Sequence, residues 1–488
     1  MTQTAPAAAT VETPGDDQTG IGAMKAAFER LLAAYRGERM PTYERRMDRL
    51  GRLARALQQR QDDIATAVRS DYGNRSVHET RIAEVLMPLD QVRYIRKHLK
   101  GWMKPKRRRV SMTYQPASAR VHYQPVGVVG IISPWNYPVT LTVSPMAAAL
   151  AAGNRVLVKP SEYTPRTTAL MKAMFADIFE PDLVEVVAGG PELGAAFSRL
   201  PFHHLLYTGS THVGRLVMRA AAENLTPVTL ELGGKSPAIV HESYPIARAA
   251  KSIAWGKCAN SGQTCIAPDY LLAPAAQIDA FVEALRERVS ASYPTLKDNG
   301  DYTCIINDEH YQRIRGLIED AEAKGARKVE LNPSRETLDS STRKIPPTLL
   351  LDVNDDMKVM QEEIFGPVLP IVGYGQLADA IAYVNDHPRA LTLYYFDDDR
   401  GRARHVLEQT VSGGAAINET LLQFGIDDMP FGGIGSSGMG AYHGFEGFET
   451  FSNKKGVLYQ SRLNATGLLA PPYGRLLEKM LEVLIGRR

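Results

Sequence analysis

Three features of the chain predict an α/β fold. Short apolar stretches of strand length, at 126–132, 155–159 and 228–232, each run into a polar or glycine turn. Between and after them lie segments with apolar residues at helical spacing, among them Leu216, Val217 and Ala220, then 278–289 and 311–324. The alternation continues to the end of the second half, so a second unit is α/β as well. At 488 residues, 44% hydrophobic and 23% charged, the chain has ordinary globular composition and enough length for two or three domains.

Taken in order, residues 1–20 carry Pro, Ala, Thr, Gln and Asp, with neither a basic leader nor an apolar core, so no signal peptide is expected and the segment reads as disordered. From Met24 to Leu99 the apolar residues Leu50, Leu53, Leu57, Ile64 and Val68 recur at turn spacing, a helical lead-in. Lys104 to Arg109 is a local basic run. A solvated loop or a surface for another subunit explains it better than nucleic acid, because the net charge is only +3. Residues 110–115 and 120–124, around a turn at 116–119, read as a hairpin, to which 457–460 would add a strand. Residues 429–438, Met-Pro-Phe-Gly-Gly-Ile-Gly-Ser-Ser-Gly, are too rich in glycine for regular structure and are expected to border a substrate entrance. The tail, 476–485, is apolar enough to need cover and too short to span a bilayer; packing on the protein is the first reading, adhesion to a membrane surface the second. Three cysteines, Cys258, Cys265 and Cys304, form no disulfide framework, which suits a reducing, cytoplasmic setting. No metal site is expected.

The chemistry concentrates in two stretches. In Asn260-Ser261-Gly262-Gln263-Thr264-Cys265 a thiol follows a small, polar, flexible turn, which presents a nucleophile to a cleft more readily than it buries an inert side chain. In Leu230-Glu231-Leu232-Gly233-Gly234-Lys235 a lone carboxylate stands in an apolar strand. Burial would raise its pKa towards neutrality, as a general base requires; the alternative is a carboxylate capping the next turn. Asn136, in the loop after 126–132, is able to donate to an oxyanion without acting as a base, or else makes an Asx turn before Pro138. Lys159 and Glu162 put one cation and one anion at a strand end, where open parallel sheets bind ligands; a surface ion pair is the competing reading. Gly209, Ser210 and Gly214 lie between a strand and a helix, where free N–H groups and the helix dipole suit a pyrophosphate.

The two motifs around Glu231 and Cys265, in that order, resemble the aldehyde dehydrogenase superfamily over nearly the whole chain. The resemblance implies Cys265 as nucleophile, Glu231 as base and Asn136 as oxyanion donor in NAD(P)-dependent aldehyde oxidation. It implies that Lys159 and Glu162 hold the adenosine ribose, that Gly209, Ser210 and Gly214 meet the pyrophosphate, and that Glu363 and Phe365 meet the nicotinamide ribose and ring. A carboxylate at the 2′-hydroxyl favours NAD, with NADP less favoured. The implied architecture is a Rossmann-like cofactor domain at 21–108 and 126–232, a catalytic domain at 233–444, a small β oligomerisation arm at 109–125 and 445–465, and a tail at 466–488. The hairpin and the short C-terminal region resemble the dimeric class-3 branch, so a homodimer is expected, with no nucleic-acid partner and no stable membrane insertion.

Within the superfamily, Arg75 to Thr80, Trp102 to Pro105 and the cysteine motif look closest to bacterial coniferyl-aldehyde dehydrogenases. Tyr137 and Trp255 would stack on a flat conjugated aldehyde, the small Ala259 would make room for a substituted ring, and Phe431 would complete the pocket. Gln423 and Asp427 are candidate partners for a phenol hydroxyl. The rival readings are a permissive funnel for medium-chain aliphatic aldehydes, a CoA-acylating enzyme, and a non-catalytic structural protein.

Overall fold

Strands buried on both faces build the first sheet. The computed structural model describes residues 17–464 and 466–486. Its six-stranded sheet runs in the order Gly438–Met439, Val228–Leu232, His204–Gly209, Val128–Ile132, Arg155–Lys159, Val184–Val186. All neighbours are parallel except Gly438–Met439, which lies antiparallel on Glu231 and Leu230. The two-residue period sends Val128 and Ile132 to one face, against Met24, Phe28 and Phe197, and Val129 and Ile131 to the other, against Met146 and Phe175. Each face therefore has a core of its own, and the strand ends that carry Lys159, Gly209 and Leu232 lie at one edge of a parallel sheet.

The helix Thr140–Ala152 follows the Asn136 loop and is buried along its whole length. Such a helix has no polar face, and its sequence, Thr-Leu-Thr-Val-Ser-Pro-Met-Ala-Ala-Ala-Leu-Ala-Ala, supplies none. The second sheet has seven strands, in the order Arg327–Glu330, Thr348–Leu351, Val368–Tyr374, Tyr270–Pro274, Pro237–Val240, Thr392–Phe396, Gly414–Ile417. Only Arg327–Glu330 is antiparallel. The helices Ile246–Cys258 and Ile278–Ser292 cover one face of this sheet, and Asp308–Ala323 covers the other.

A small third sheet pairs Lys106–Arg108, Ser118–Pro125 and Ser452–Tyr459. Its first strand is the basic run and not 110–115, as the alternation predicts. Residues 110–115 lie exposed in the connection, with one 3-10 turn at Met112–Tyr114, because their apolar members have no surface to pack on; Met112 is 91% exposed. The added strand is longer than the predicted 457–460 and runs the full length of Ser118–Pro125.

Three further expectations change. The expected disordered segment 1–20 lies mostly outside the described residues, and a helix begins within it, at Asp17. The glycine-rich loop does not border an entrance. It folds back onto the first sheet, where Gly438 adopts φ +143°, and a Cβ there would collide with the Leu230 carbonyl oxygen. The tail forms the helix Arg475–Ile485, but the other described residues leave most of it uncovered: Leu477 is buried, while Leu476, Val483 and Ile485 are 59%, 81% and 78% exposed.

Candidate active site

The site forms where three loops meet at the strand ends. After Val128–Ile132 the chain turns through Ser133, whose N–H donates to Lys159 O at 3.1 Å, and reaches Asn136, 3% exposed. The backbone carbonyl of Asn136 accepts from Arg75 Nη1 at 2.9 Å, Tyr72 Oη at 3.1 Å and Asn260 Nδ2 at 3.1 Å. Its side-chain Nδ2 donates to Gln263 O at 3.2 Å, which leaves that nitrogen a second N–H for another acceptor. No Asx turn uses the side chain, so the structure favours the donor reading.

Cys265 sits beyond the end of the helix Ile246–Cys258. The chain leaves that helix through Asn260, Ser261 and Gly262, whose φ values are +48°, +50° and +72°. A run of left-handed residues is costly, and a dense set of bonds holds it. Asn260 N donates to Glu79 Oε2 at 3.1 Å, Gln263 Nε2 to Asn260 O at 2.9 Å and Cys304 O at 3.1 Å, and Ile306 N to Gln263 Oε1 at 3.0 Å. Gly262 must be glycine, since a Cβ would strike the Gly366 carbonyl. Burial pushes the Cys265 thiol pKa up, with the carboxylates of Glu363 and Glu231 adding to the rise. The N–H groups of Cys265 and Ile266 oppose it, so backbone donors already face the sulfur.

Glu231 is the penultimate residue of its strand and 3% exposed, and neither carboxylate oxygen has a hydrogen-bond partner among the described residues. Burial alone raises its pKa well above 4.5. A carboxylate without a cap or cation, aimed at a cysteine, is a poor structural element and a suitable base. Glu363 lies against the Gly233–Gly234 turn and accepts from Gly234 N; burial and Asp269 bring its pKa up to about 8.

At the outer edge Lys159 Nζ bonds Glu162 Oε2 at 2.9 Å, the lysine buried and the glutamate side chain 36% exposed. Ser210 caps the helix Thr211–Ala222 by accepting from Val213 N, beside Gly209. At Gly214 a Cβ would strike the Leu232 side chain, so the glycine permits close helix-to-strand packing. Phe365, at φ +50°, packs edge-on against Trp135 at 5.3 Å. These residues fit a dinucleotide: a charged pair at a parallel strand end, a helix N-terminus just beyond Gly209, and, further along, a carboxylate whose charge reaches the thiol and an aromatic ring two residues after it.

A cavity of about 540 Å³ opens onto Cys265. Tyr137, Trp255 and Ala259 line it as expected. Tyr137 is fixed by its hydroxyl on Thr264 Oγ1 at 2.8 Å and by the Arg75 guanidinium 4.7 Å from its ring. Phe431 does not line the cavity. It is 8% exposed and stacks on His443, while Phe424, edge-on to it at 4.9 Å, takes the place in the wall. Gln423 and Asp427 do not line it either: Gln423 Nε2 donates to Tyr394 Oη at 3.1 Å, and Asp427 sits elsewhere beside Asp90, its carboxyl pushed up to about 6. Sequence reasoning missed Arg75 and Glu79. Their spacing of four on charged residues reads as an exposed helical pair, yet Arg75 is fully buried.

The profile of the aldehyde dehydrogenase family matches residues 10–457. The chain belongs to the aldehyde dehydrogenase family. A Pseudomonas aeruginosa protein named as a probable coniferyl aldehyde dehydrogenase is 52% identical over 96% of this chain and 98% of its own length. The substrate-bound structure of Staphylococcus aureus AldH superposes with a TM-score of 0.89 at 36% identity, covering 95% of this chain and 99% of that one. A double mutant of S. aureus betaine aldehyde dehydrogenase, solved with NAD+, superposes with a TM-score of 0.81 at 26% identity over 91% of this chain and 90% of its own. The protein is thus an oxidoreductase with aldehyde dehydrogenase activity. No described helix is long and apolar enough to cross a membrane.

The raised pKa of Glu363 makes a prediction about stability. In the unfolded chain the carboxyl titrates near 4.5 and in the folded one near 8, so the folded state holds the proton more tightly. The stabilisation is complete below pH 4.5 and is lost as the pH rises through 8. Glu363→Gln keeps an acceptor for Gly234 N and removes the titration. In NAD-free protein, the Tm of the variant relative to wild type should climb between pH 5 and 8 and then level off. A gap that narrows with rising pH would contradict the assignment.

Proposed function

We propose that this aldehyde dehydrogenase uses NAD to oxidise coniferyl aldehyde, or a related aromatic aldehyde, to the carboxylic acid through a thiohemiacetal and a thioester on Cys265. The observation that carries the reading is Cys265 on the wall of a cavity shared with Tyr137, Trp255 and Phe424, supported by Glu231, unpartnered among the described residues and close enough for its charge to act on the thiol, and by Asn136, whose amide bonds Gln263 two residues before the cysteine.

Cys265 attacks the carbonyl carbon as the thiolate, its proton having passed to solvent, so Glu231 stays unprotonated for the second half of the cycle. Asn136 Nδ2 and the Cys265 N–H receive the oxyanion. Lys159, Glu162, Gly209, Ser210, Glu363 and Phe365 would hold NAD, which when bound supplies a hydride acceptor. Glu231 then takes a proton from the water that cleaves the thioester, releasing the acid and restoring the thiol. A base of this kind argues against transfer to CoA. The exposed carboxylate of Glu162 would repel a 2′-phosphate, which supports NAD over NADP.

Replacing the base separates the two halves of the cycle. Glu231→Gln should give a burst of NADH followed by a steady state slower by about 10²–10⁴-fold, the usual worth of general-base catalysis. An unaltered steady state would remove Glu231 from the mechanism.

The substrate reading rests on the aromatic wall and on the relative named for coniferyl aldehyde. It is tested by kcat/KM for coniferyl aldehyde, benzaldehyde and hexanal, with coniferyl aldehyde expected to exceed hexanal by at least about tenfold, one well-placed contact's worth. Ala259→Met fills the space beside the ring and should erode that preference. Equal values for hexanal, unmoved by the substitution, would assign the cavity to aliphatic aldehydes instead.

The edge strand Ser452–Tyr459 and the exposed apolar face of the helix Arg475–Ile485 leave unpaired hydrogen-bonding groups and uncovered side chains, which support a homodimer. Three free thiols fit a cytoplasmic setting. Sedimentation should give a mass of two subunits; one subunit at all concentrations would defeat the assembly.

A further inference from the structure

The cavity wall is not chemically uniform. The carboxylates whose charge bears on the Cys265 sulfur are Glu363 and Glu231. Neither of them lines the cavity, whose own polar patch comes from two other segments: Ser76 and Glu79 at the start of the helix Val77–Thr80, and Tyr293 and Asp301 beyond the helix Ile278–Ser292. Aliphatic side chains dominate the rest of the wall, Ile82, Met87, Leu141 and Leu422 among them.

The two segments are locked to each other. Ser76 Oγ donates to Asp301 Oδ1 at 2.7 Å, Asn74 Nδ2 donates to Tyr302 O at 2.9 Å, and the Tyr293 ring packs edge-on to Tyr302 at 5.2 Å. Glu79 is committed to the protein, since Oε2 accepts from Asn260 N at 3.1 Å and the buried Oε1 faces Arg75 Nε at 3.6 Å. Asp301 is not. Its Oδ1 takes the Ser76 proton, Oδ2 has no partner among the described residues, and the Tyr293 hydroxyl likewise makes no hydrogen bond among them. Burial and the charges of Glu79 and Asp301 hold the Tyr293 phenol protonated, so it is a donor at every working pH. No lysine or arginine lines the cavity.

We infer that Asp301 and Tyr293 read the ring hydroxyl of the substrate and the ether oxygen beside it: the Asp301 carboxylate accepts the phenol O–H, and the Tyr293 O–H donates to the adjacent oxygen. This rests on the aromatic-aldehyde reading above and adds to it the part of the ring that is recognised. An aliphatic chain makes neither bond, and a ring carrying a carboxylate meets a like charge with no lysine or arginine in the wall to offset it. A hydroxyl donating to a carboxylate is a charge-assisted bond, stronger than a neutral one.

The test compares coniferyl aldehyde with its 4-O-methyl ether, 3,4-dimethoxycinnamaldehyde, which has the same ring and aldehyde and lacks the donor. In wild-type enzyme kcat/KM should be about 10–100-fold higher for the phenol, the range of a hydrogen bond to a charged group. Asp301→Asn should bring that ratio towards one, while Tyr293→Phe, which loses a bond to the methoxy oxygen common to both substrates, should lower both values and leave the ratio in place. If wild type treats phenol and ether alike while still preferring both to hexanal, this recognition is wrong and the aromatic reading stands. If hexanal matches coniferyl aldehyde, the aromatic reading itself has failed. A fall in both aromatic substrates together in Asp301→Asn, with the ratio kept, would mark Asp301 as structural through Ser76 and overturn the inference. The wild-type comparison decides the matter even where a variant does not fold.

Discussion

The carbonyl oxygen of Asn136 is the fixed point of the site. A guanidinium, a phenol and an amide all converge on it, and the guanidinium belongs to Arg75, which has no exposed surface. Burying a cation is expensive unless it is paired, and Arg75 is paired with the equally buried Glu84 at 3.3 Å. Glu84 in turn accepts from Val139 N at 3.0 Å and Thr140 N at 2.9 Å, the free donors at the start of the fully buried helix. Burial pushes the Glu84 pKa up to about 7 against the opposing pull of Arg75. One buried ion pair thus fixes the loop before the helix and the start of the helix, and with them the Asn136 amide proposed as the oxyanion donor.

The cysteine loop depends on the same cluster. Asn260 gives its side chain to the Asn136 carbonyl and its backbone N–H to Glu79, whose other oxygen faces Arg75. Three residues in left-handed conformation would relax elsewhere in a looser protein. Here the Cys265 and Asn136 loops, proposed to carry nucleophile and oxyanion donor, are referred to one cation, so their separation is set by packing instead of by the flexibility of either loop.

Much of this was legible in the sequence because it depends on local pattern. The strands Val228–Leu232 and Arg155–Lys159 appear with the bounds their apolar runs predict, and the Asn136 amide bonds Gln263, two residues before Cys265, while the charge of Glu231 bears on the Cys265 thiol. What failed depends on contacts distant in the chain. The strand Lys106–Arg108 has no β-forming residue and exists because Ala119–Val121 lies opposite. Gly438–Met439 has no strand signal at all and is defined by pairing with Glu231. Phe431 and Phe424 are seven residues apart in one loop, and only the fold decides which of them faces the cavity. Arg75 and Glu84 read as surface charge because composition does not reveal that two opposite charges share a dry interior.

The pairing at Gly438 gives the catalytic cleft a mechanical character. The chain passes from the first sheet to the second through Gly233–Gly234, and after its last strand there, Gly414–Ile417, it returns to hydrogen-bond beside Glu231. The cleft is therefore closed by chain on two sides, like a ring, and is not a clamshell swinging on one hinge. Parting the sheets would strain both passages at once, the Gly233–Gly234 turn and the pairing beside Glu231, so the return strand at Gly438 limits how far the cleft opens.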